Sequence, residues 1–208
     1  MEFCKKLKQT LDARQPHIEN ESDFSPSAVL IPLVHHNGEL RVLFEVRSSQ
    51  LTWQPGEICF PGGRIEAEDS NPLAAAIRET SEEIGVPADK ICALGALDYI
   101  VSPIGVILYP FVGYIEDSSL VKPSCSEVGR IFSVPMDYLL KAEPVSGHME
   151  SATRPKGDFP LHLMPEEYPR DWKVRSHYEV LFYQYKEFVI WGLTAKVLHR
   201  FLKIYKEM

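Results

Sequence analysis

The sequence predicts an α+β protein, a mixed α/β/α sandwich with helices packed on both sides of a curved mixed sheet. Three observations predict it. Short apolar runs bounded by turn residues dominate the chain. One amphipathic helix with clear start and stop signals lies in its middle, and a second closes it.

Residues 1–13 read as a short helix with Phe3, Leu7 and Leu11 on one stripe. Pro16 to Pro26 reads as a polar connector, so residues 1–26 stand before a domain covering 27–208. Ala28–Val34 is a continuous apolar run, as in a buried strand. Leu40–Val46 is a second strand, and His36-Asn37-Gly38-Glu39 is the turn of an antiparallel hairpin. Leu51–Gly63 is a loop, punctuated by Pro55, Gly56, Pro61, Gly62 and Gly63, with one short strand at Glu57–Phe60. A helix follows at Pro72–Ile84. Further strands are expected at Ile91–Ile100, Val106–Ile115, Ile131–Val134 and Tyr178–Tyr185. Asp137–Lys141 reads as a short helix after Pro135, Glu143–Lys173 as a long loop or hairpin excursion, and Phe188–Tyr205 as the last helix.

A length of 208 residues fits one domain with terminal additions. The net charge of −7 argues against a general nucleic-acid or membrane-surface binder. It leaves room for a small polyanion recruited by a cation and a few local Arg or Lys. Cys4, Cys59, Cys92 and Cys125 form no CxxC pair and read as reduced thiols of a cytoplasmic protein, with Cys59 and Cys92 in the core. No signal-peptide apolar region is apparent, and no apolar run reaches the ~18 residues of a membrane span.

The central helix carries the chemistry. Asn71 is a good N-cap, Pro72 suits the first helical position, Gly85 suits a left-handed C-cap and Pro87 prevents continuation. At about 100° per residue, Leu73, Ala76, Ile77, Thr80 and Ile84 form a core stripe. Glu79, Glu82 and Glu83 fall together on its flank, with the small Ala75 one turn earlier. Like charges at this spacing repel, and the helix C-terminus disfavours anions. Alone, such a cluster is ordinarily a solvated acidic face. Its arrival with a Gly-Gly loop and a capped start favours a hard divalent cation with oxygen ligands. There is no EF-hand loop to suggest calcium.

Arg78-Glu79-Thr80-Ser81-Glu82-Glu83-Ile84-Gly85-Val86 resembles the C-terminal half of the Nudix box, R-E-U-x-E-E-x-G-U with U bulky and apolar; Thr80 is the departure. Gly63 matches the opening glycine. Fourteen residues separate it from Arg78, one more than the general pattern, so Glu68 or Asp69 stands for the first box acid. The run Leu51–Gly63, with Arg47 upstream, resembles the added signature of the coenzyme A pyrophosphatase branch, which tolerates the longer box. Ile190-Trp191-Gly192-Leu193-Thr194-Ala195 resembles that branch's final-helix motif.

The resemblance implies the Nudix fold with a curved mixed sheet between helices, a requirement for Mg²⁺ or Mn²⁺, and hydrolysis of a diphosphate bond. For coenzyme A or its acyl derivatives the products are 4′-phosphopantetheine and adenosine 3′,5′-bisphosphate. It implies metal ligands at Glu79, Glu82, Glu83 and the backbone carbonyl of Gly63. Glu79, Glu83 and Arg78 are the catalytic set, with the general base open between Glu79, Glu83 and the loop acid Glu127. Arg78 is expected to orient Glu82 at i+4. Arg47, Arg64 and Glu57 are candidates for substrate binding, and Trp191 and Gly192 for helix-to-sheet packing. The expected partner is a small coenzyme A-like molecule, not nucleic acid or membrane, with a homodimer allowed. The excursion 143–175 and the loop Ser102–Gly105 are expected to shape the pocket. ADP-ribose, dinucleotides or nucleoside triphosphates are the alternative substrates within the superfamily. A non-catalytic nucleotide-binding module is the other alternative, and the presence of Glu79, Glu82 and Glu83 together argues against it.

Overall fold

Strand β1 (Ser25–His36) is buried on both faces and organises the rest. The structure, a computed structural model, describes residues 2–15, 18, 20, 23–124 and 126–208. β1 forms the expected hairpin with β2 (Glu39–Arg47), turning through Asn37 and Gly38, both at positive φ. β2 also pairs antiparallel with β3 (Ile58–Cys59) and, later in the chain, β8 (Val128–Pro135). Along the same edge as β2, β1 pairs antiparallel with β4 (Gly62–Arg64), and its other edge pairs parallel with β7 (Val106–Ile115). β7 in turn pairs with β5 (Ile91–Ala96) and β6 (Ile100–Val101). The sheet is therefore mixed, as expected.

Strand alternation sorts the core into two layers. Leu30, Val34 and Leu43 point to one face and pack with Ala75, Ala76 and Ile84 of α2 (Pro72–Ile84). Ile31, Leu33, Val42 and Phe44 point to the other. There they meet Leu139 of α3 (Met136–Lys141) and Val197, Leu198, Phe201 and Leu202 of α4 (Gly192–Lys206). Phe44 stacks between Phe60 and Phe132. The sandwich of helices about a mixed sheet is what the sequence predicts.

Three elements differ from expectation. Residues 188–191 are strand β11 (Phe188–Trp191), not helix; an aromatic and β-branched run pairs with β10 (Lys173–Tyr185), and Gly192 at φ 65° separates it from α4. The expected strand 91–100 breaks into β5 and β6. The excursion contains β9 (Val145–Thr153), antiparallel to β10, so a second three-stranded sheet β11-β10-β9 stands beside the first. Its mostly exposed, polar residues hid it from a reading based on apolar periodicity. Cys92 is exposed rather than core, because β5 is the outer strand of its sheet and only Ile91 is buried there. Helix α1 (Glu2–Asp12) forms as expected but buries none of its residues, and Phe3, Leu7 and Leu11 are exposed. Much of the expected connector, and Cys125, lie outside the described residues.

Candidate functional site

Helix α2 is held at both ends. The Asn71 side chain accepts from the Ala74 N–H at 3.0 Å, Pro72 follows it, and the Gly85 N–H donates to the Ser81 carbonyl from a left-handed φ of 71°. Thr80, the departure from an apolar position, is fully buried; its hydroxyl donates to the Ala76 carbonyl at 2.6 Å, which satisfies the polar atom inside the core. The helix leans on β1 and β4.

The glutamates of α2 are not equivalent. Glu82 is mostly exposed. Glu83 is 3% exposed and belongs to the buried face, not the flank; its carboxylate accepts from the Gly62 N–H at 2.7 Å. Glu79 lies between these extremes and sits against the Gly63 backbone. The glycine pair is required here. Gly62 has φ 149°, and a Cβ on it would collide with the Ala28 carbonyl oxygen. A Cβ on Gly63 would lie 2.5 Å from the Glu79 carboxyl carbon.

Arg78 reaches Glu82 at i+4 as expected, but its main partners lie elsewhere. Its Nε and Nη2 donate to the two oxygens of Asp69 at 3.0 and 2.9 Å, and Nη1 donates to Glu79 at 2.8 Å. Nη2 also reaches the Arg64 carbonyl at 3.2 Å. Glu82 is a distant partner at 3.4 Å, so Arg78 orients Glu79 and Asp69 more than Glu82. A two-pronged guanidinium–carboxylate pair wins over a single contact with an exposed side chain. Asp69 also accepts from the Glu66 N–H, while Glu68 is exposed; of the two candidate loop acids, Asp69 makes the connection. The Arg78 hydrogen bonds hold Asp69 below the usual carboxylate range.

Sequence reasoning passed over Glu45. It follows Leu43 by two positions on β2 and so shares the α2 face. It is 1% exposed; Oε1 accepts from the Cys59 thiol at 3.2 Å, and Oε2 has no hydrogen-bond partner among the described residues. A carboxylate at an inward position of an apolar strand was the available signal. Burial pushes Glu45, Glu79 and Glu83 above the usual carboxylate range; the Glu45 charge raises Glu83 further, and Glu127 adds to all three. Burial and Glu45 together keep Cys59 a thiol. Cys59 is thus half-buried beside the carboxylates instead of lying in the core.

The donor set suits a hard divalent cation in kind: Glu79, Glu82 and Glu83 offer carboxylate oxygens from one helix, and Glu45 Oε2 is a buried oxygen without a partner among the described residues. Among the described residues no three acidic, His or Cys side chains converge as a ready-made cage.

Cys59, the partner of Glu45, also lines a cavity of about 280 Å³. Arg47 and Glu57 line it, together with Ile100, Ile104, Met149 and Trp191. Ser102 and Pro103 also border it, so both the 102–105 loop and the excursion contribute walls. Trp191 and Gly192, expected as packing, line this cavity too, and Trp191 is 39% exposed. Arg64 does not line it; it is exposed on β4 and offers its carbonyl to Arg78.

A family model described as the NUDIX domain matches residues 25–143. The peroxisomal coenzyme A diphosphatase NUDT7 of Mus musculus is 32% identical over 162 residues, covering 78% of this chain and 66% of that protein. Nudix hydrolase 3 of Caenorhabditis elegans is 30% identical over 208 residues, covering 98% of this chain and 83% of that protein. The peroxisomal coenzyme A diphosphatase ndx-8 of C. elegans is 37% identical, over 65% of this chain and 58% of its own length. The crystal structure of a MutT/nudix family protein from Enterococcus faecalis superimposes with a TM-score of 0.51 at 14% identity, covering 98% of this chain and 69% of that one, a likeness of fold.

Proposed function

The chain belongs to the Nudix family and is a hydrolase of pyrophosphate bonds, and from that premise we propose that its substrate is coenzyme A or an acyl derivative. The observation that carries this reading is the cavity that Arg47 and Cys59 line. It has Arg47 and Glu57 among its polar lining, and a wall of Ile100, Ile104, Met149, Leu193 and Trp191. An uncharged, extended pantetheine arm suits such a wall. ADP-ribose or a dinucleotide would set a polar sugar or a second charged nucleotide against it, at a desolvation cost. The names of the mouse and nematode relatives support the same substrate.

In this reading Glu79, Glu82, Glu83 and the Gly63 carbonyl hold Mg²⁺ or Mn²⁺. When bound, the ion neutralises diphosphate charge and makes a bound water acidic enough to attack near neutral pH. Glu79 accepts the proton from the attacking water. Its side chain is 16% exposed, whereas Glu83 is sealed behind Gly62. Arg78 fixes Glu79 while Asp69 fixes Arg78. Arg47 faces the substrate from the cavity, where its charge complements a phosphate, and Glu57 binds polar groups of the arm. Residues 27–208 form the catalytic unit, with 1–26 accessory to it. The free thiols of Cys4, Cys59 and Cys92 support a reducing compartment such as the cytoplasm, and no described helix is long and apolar enough to cross a membrane.

The test is turnover of coenzyme A, an acyl-coenzyme A, ADP-ribose and NADH with Mg²⁺ or Mn²⁺, with products identified by mass. The coenzyme A compounds should give the highest kcat/KM and release 4′-phosphopantetheine or its acyl form. Higher kcat/KM for ADP-ribose or NADH would refute the substrate assignment. Glu79→Gln should lower kcat by about a hundredfold or more; full activity in that variant would refute the role of Glu79.

A further inference from the structure

We infer that Glu45 is a further member of the cation-binding set, presented from strand β2, with Cys59 as its positioning residue. The inference rests on the metal reading above and extends it beyond α2.

The geometry starts from one short segment. Cys59 lies opposite Glu45 in the β2–β3 register, and its thiol donates to Glu45 Oε1 at 3.2 Å. Three residues on, the Gly62 N–H donates to Glu83 at 2.7 Å. Strand Cys59 and glycine Gly62 thus hang two carboxylates from opposite walls, Glu45 from the sheet and Glu83 from α2. Strand alternation confirms the direction of Glu45: Leu43, on the same face, packs with the α2 layer.

The second observation is independent of the cluster. Glu45 is 1% exposed, yet Oε2 has no hydrogen-bond partner among the described residues. A buried, unpartnered carboxylate oxygen is a net cost in a purely structural role. A structural strand residue at this position would be apolar, as Leu43 and Phe44 are. Cys59 occupies Oε1 and leaves Oε2 free; a neutral S–H donor fixes the carboxylate without neutralising it. Arg47, two residues along the strand, is directed to the Trp53 carbonyl at 3.4 Å instead of pairing with Glu45. A hard cation is the group that converts this penalty into binding.

The experiment is Mn²⁺ titration of the substrate-free, chelator-treated protein, with free Mn²⁺ read by electron paramagnetic resonance. Wild type is compared with Glu45→Gln, Glu83→Gln, Cys59→Ala and Cys59→Ser, with circular dichroism as the fold check. Glu45→Gln should weaken Mn²⁺ binding by about tenfold or more. Cys59→Ala should weaken it by a smaller factor, and Cys59→Ser, which keeps a donor, should restore it. Wild-type affinity in a folded Glu45→Gln overturns the inference. Should Glu45→Gln not fold, the cysteine pair decides: equal affinity in wild type, Cys59→Ala and Cys59→Ser overturns it, and loss with serine rescue supports it. Glu83→Gln separates the two readings. If it weakens binding while Glu45→Gln does not, only the Glu45 inference fails; if neither changes binding, the metal assignment to α2 fails as well.

Discussion

Gly63 and Glu79 approach so closely that one methyl group decides where the carboxylate can lie. Gly63→Ala would place a Cβ 2.5 Å from the Glu79 carboxyl carbon. The Glu79 side chain is the flexible partner, so it should move while the backbone stays. The expected outcome is a fall in kcat of about a hundredfold, as for a catalytic group displaced by roughly an ångström, with Tm nearly unchanged. A large drop in Tm would show that the backbone, and not the carboxylate, absorbs the clash. Residues of this kind differed in legibility. The glycine pair and Glu79, Glu82 and Glu83 stood out because their spacing is unusual. Asp69 was one of two candidates, and only the position of the Arg78 fork selects it. Glu45 was hidden because a single acidic letter inside Leu40–Val46 looks like the polar half of an alternating strand. That the alternation points it inward depends on which face of β2 meets α2.

At the scale of the element, α2 was the most legible part of the chain because its stops are local chemistry. Asn71, Pro72 and Gly85 act through their own backbones, and the helix runs from Pro72 to Ile84 as expected. Asn71→Ala should destabilise the protein by about 1 kcal/mol, measured as a shift in the urea midpoint at constant m-value. An unchanged midpoint would mean that packing of Ala75, Ala76 and Ile84, and not the cap, sets the start of the helix. β9 and β11 were less legible for opposite reasons. β9 is a polar strand whose existence depends on β10, many residues away. β11 is apolar enough to continue α4 in periodicity, and Gly192 at positive φ is the local sign that separates them. Long-range pairing, and not propensity, chose their states.

Across the molecule, α4 is tied to the second sheet by Tyr183 and His199, whose hydroxyl oxygen and Nδ1 lie 2.6 Å apart. Loss of solvent holds His199 below its ordinary value, with Lys203 adding to the effect. The fold therefore prefers the neutral ring. Stability from this group is full above the unfolded value near ~6.5, and it is lost as pH falls from there toward the lower folded value, below which the loss stops growing. Urea midpoints measured between pH 8 and about 5 should show that decline, and His199→Gln should flatten it. An identical decline in the variant would assign it to other groups. The sheet itself has a kinetic consequence. β1 meets β7 in parallel from Ser25 opposite Val106 to Val34 opposite Ile115, and β2 meets β8. Glu79 and Glu83 lie on the long loop that these pairings close. Such closure costs entropy before its contacts repay it, and refolding is slowed accordingly. An ion bound only by the native fold lowers the population that opens, so loading the site should raise resistance to unfolding.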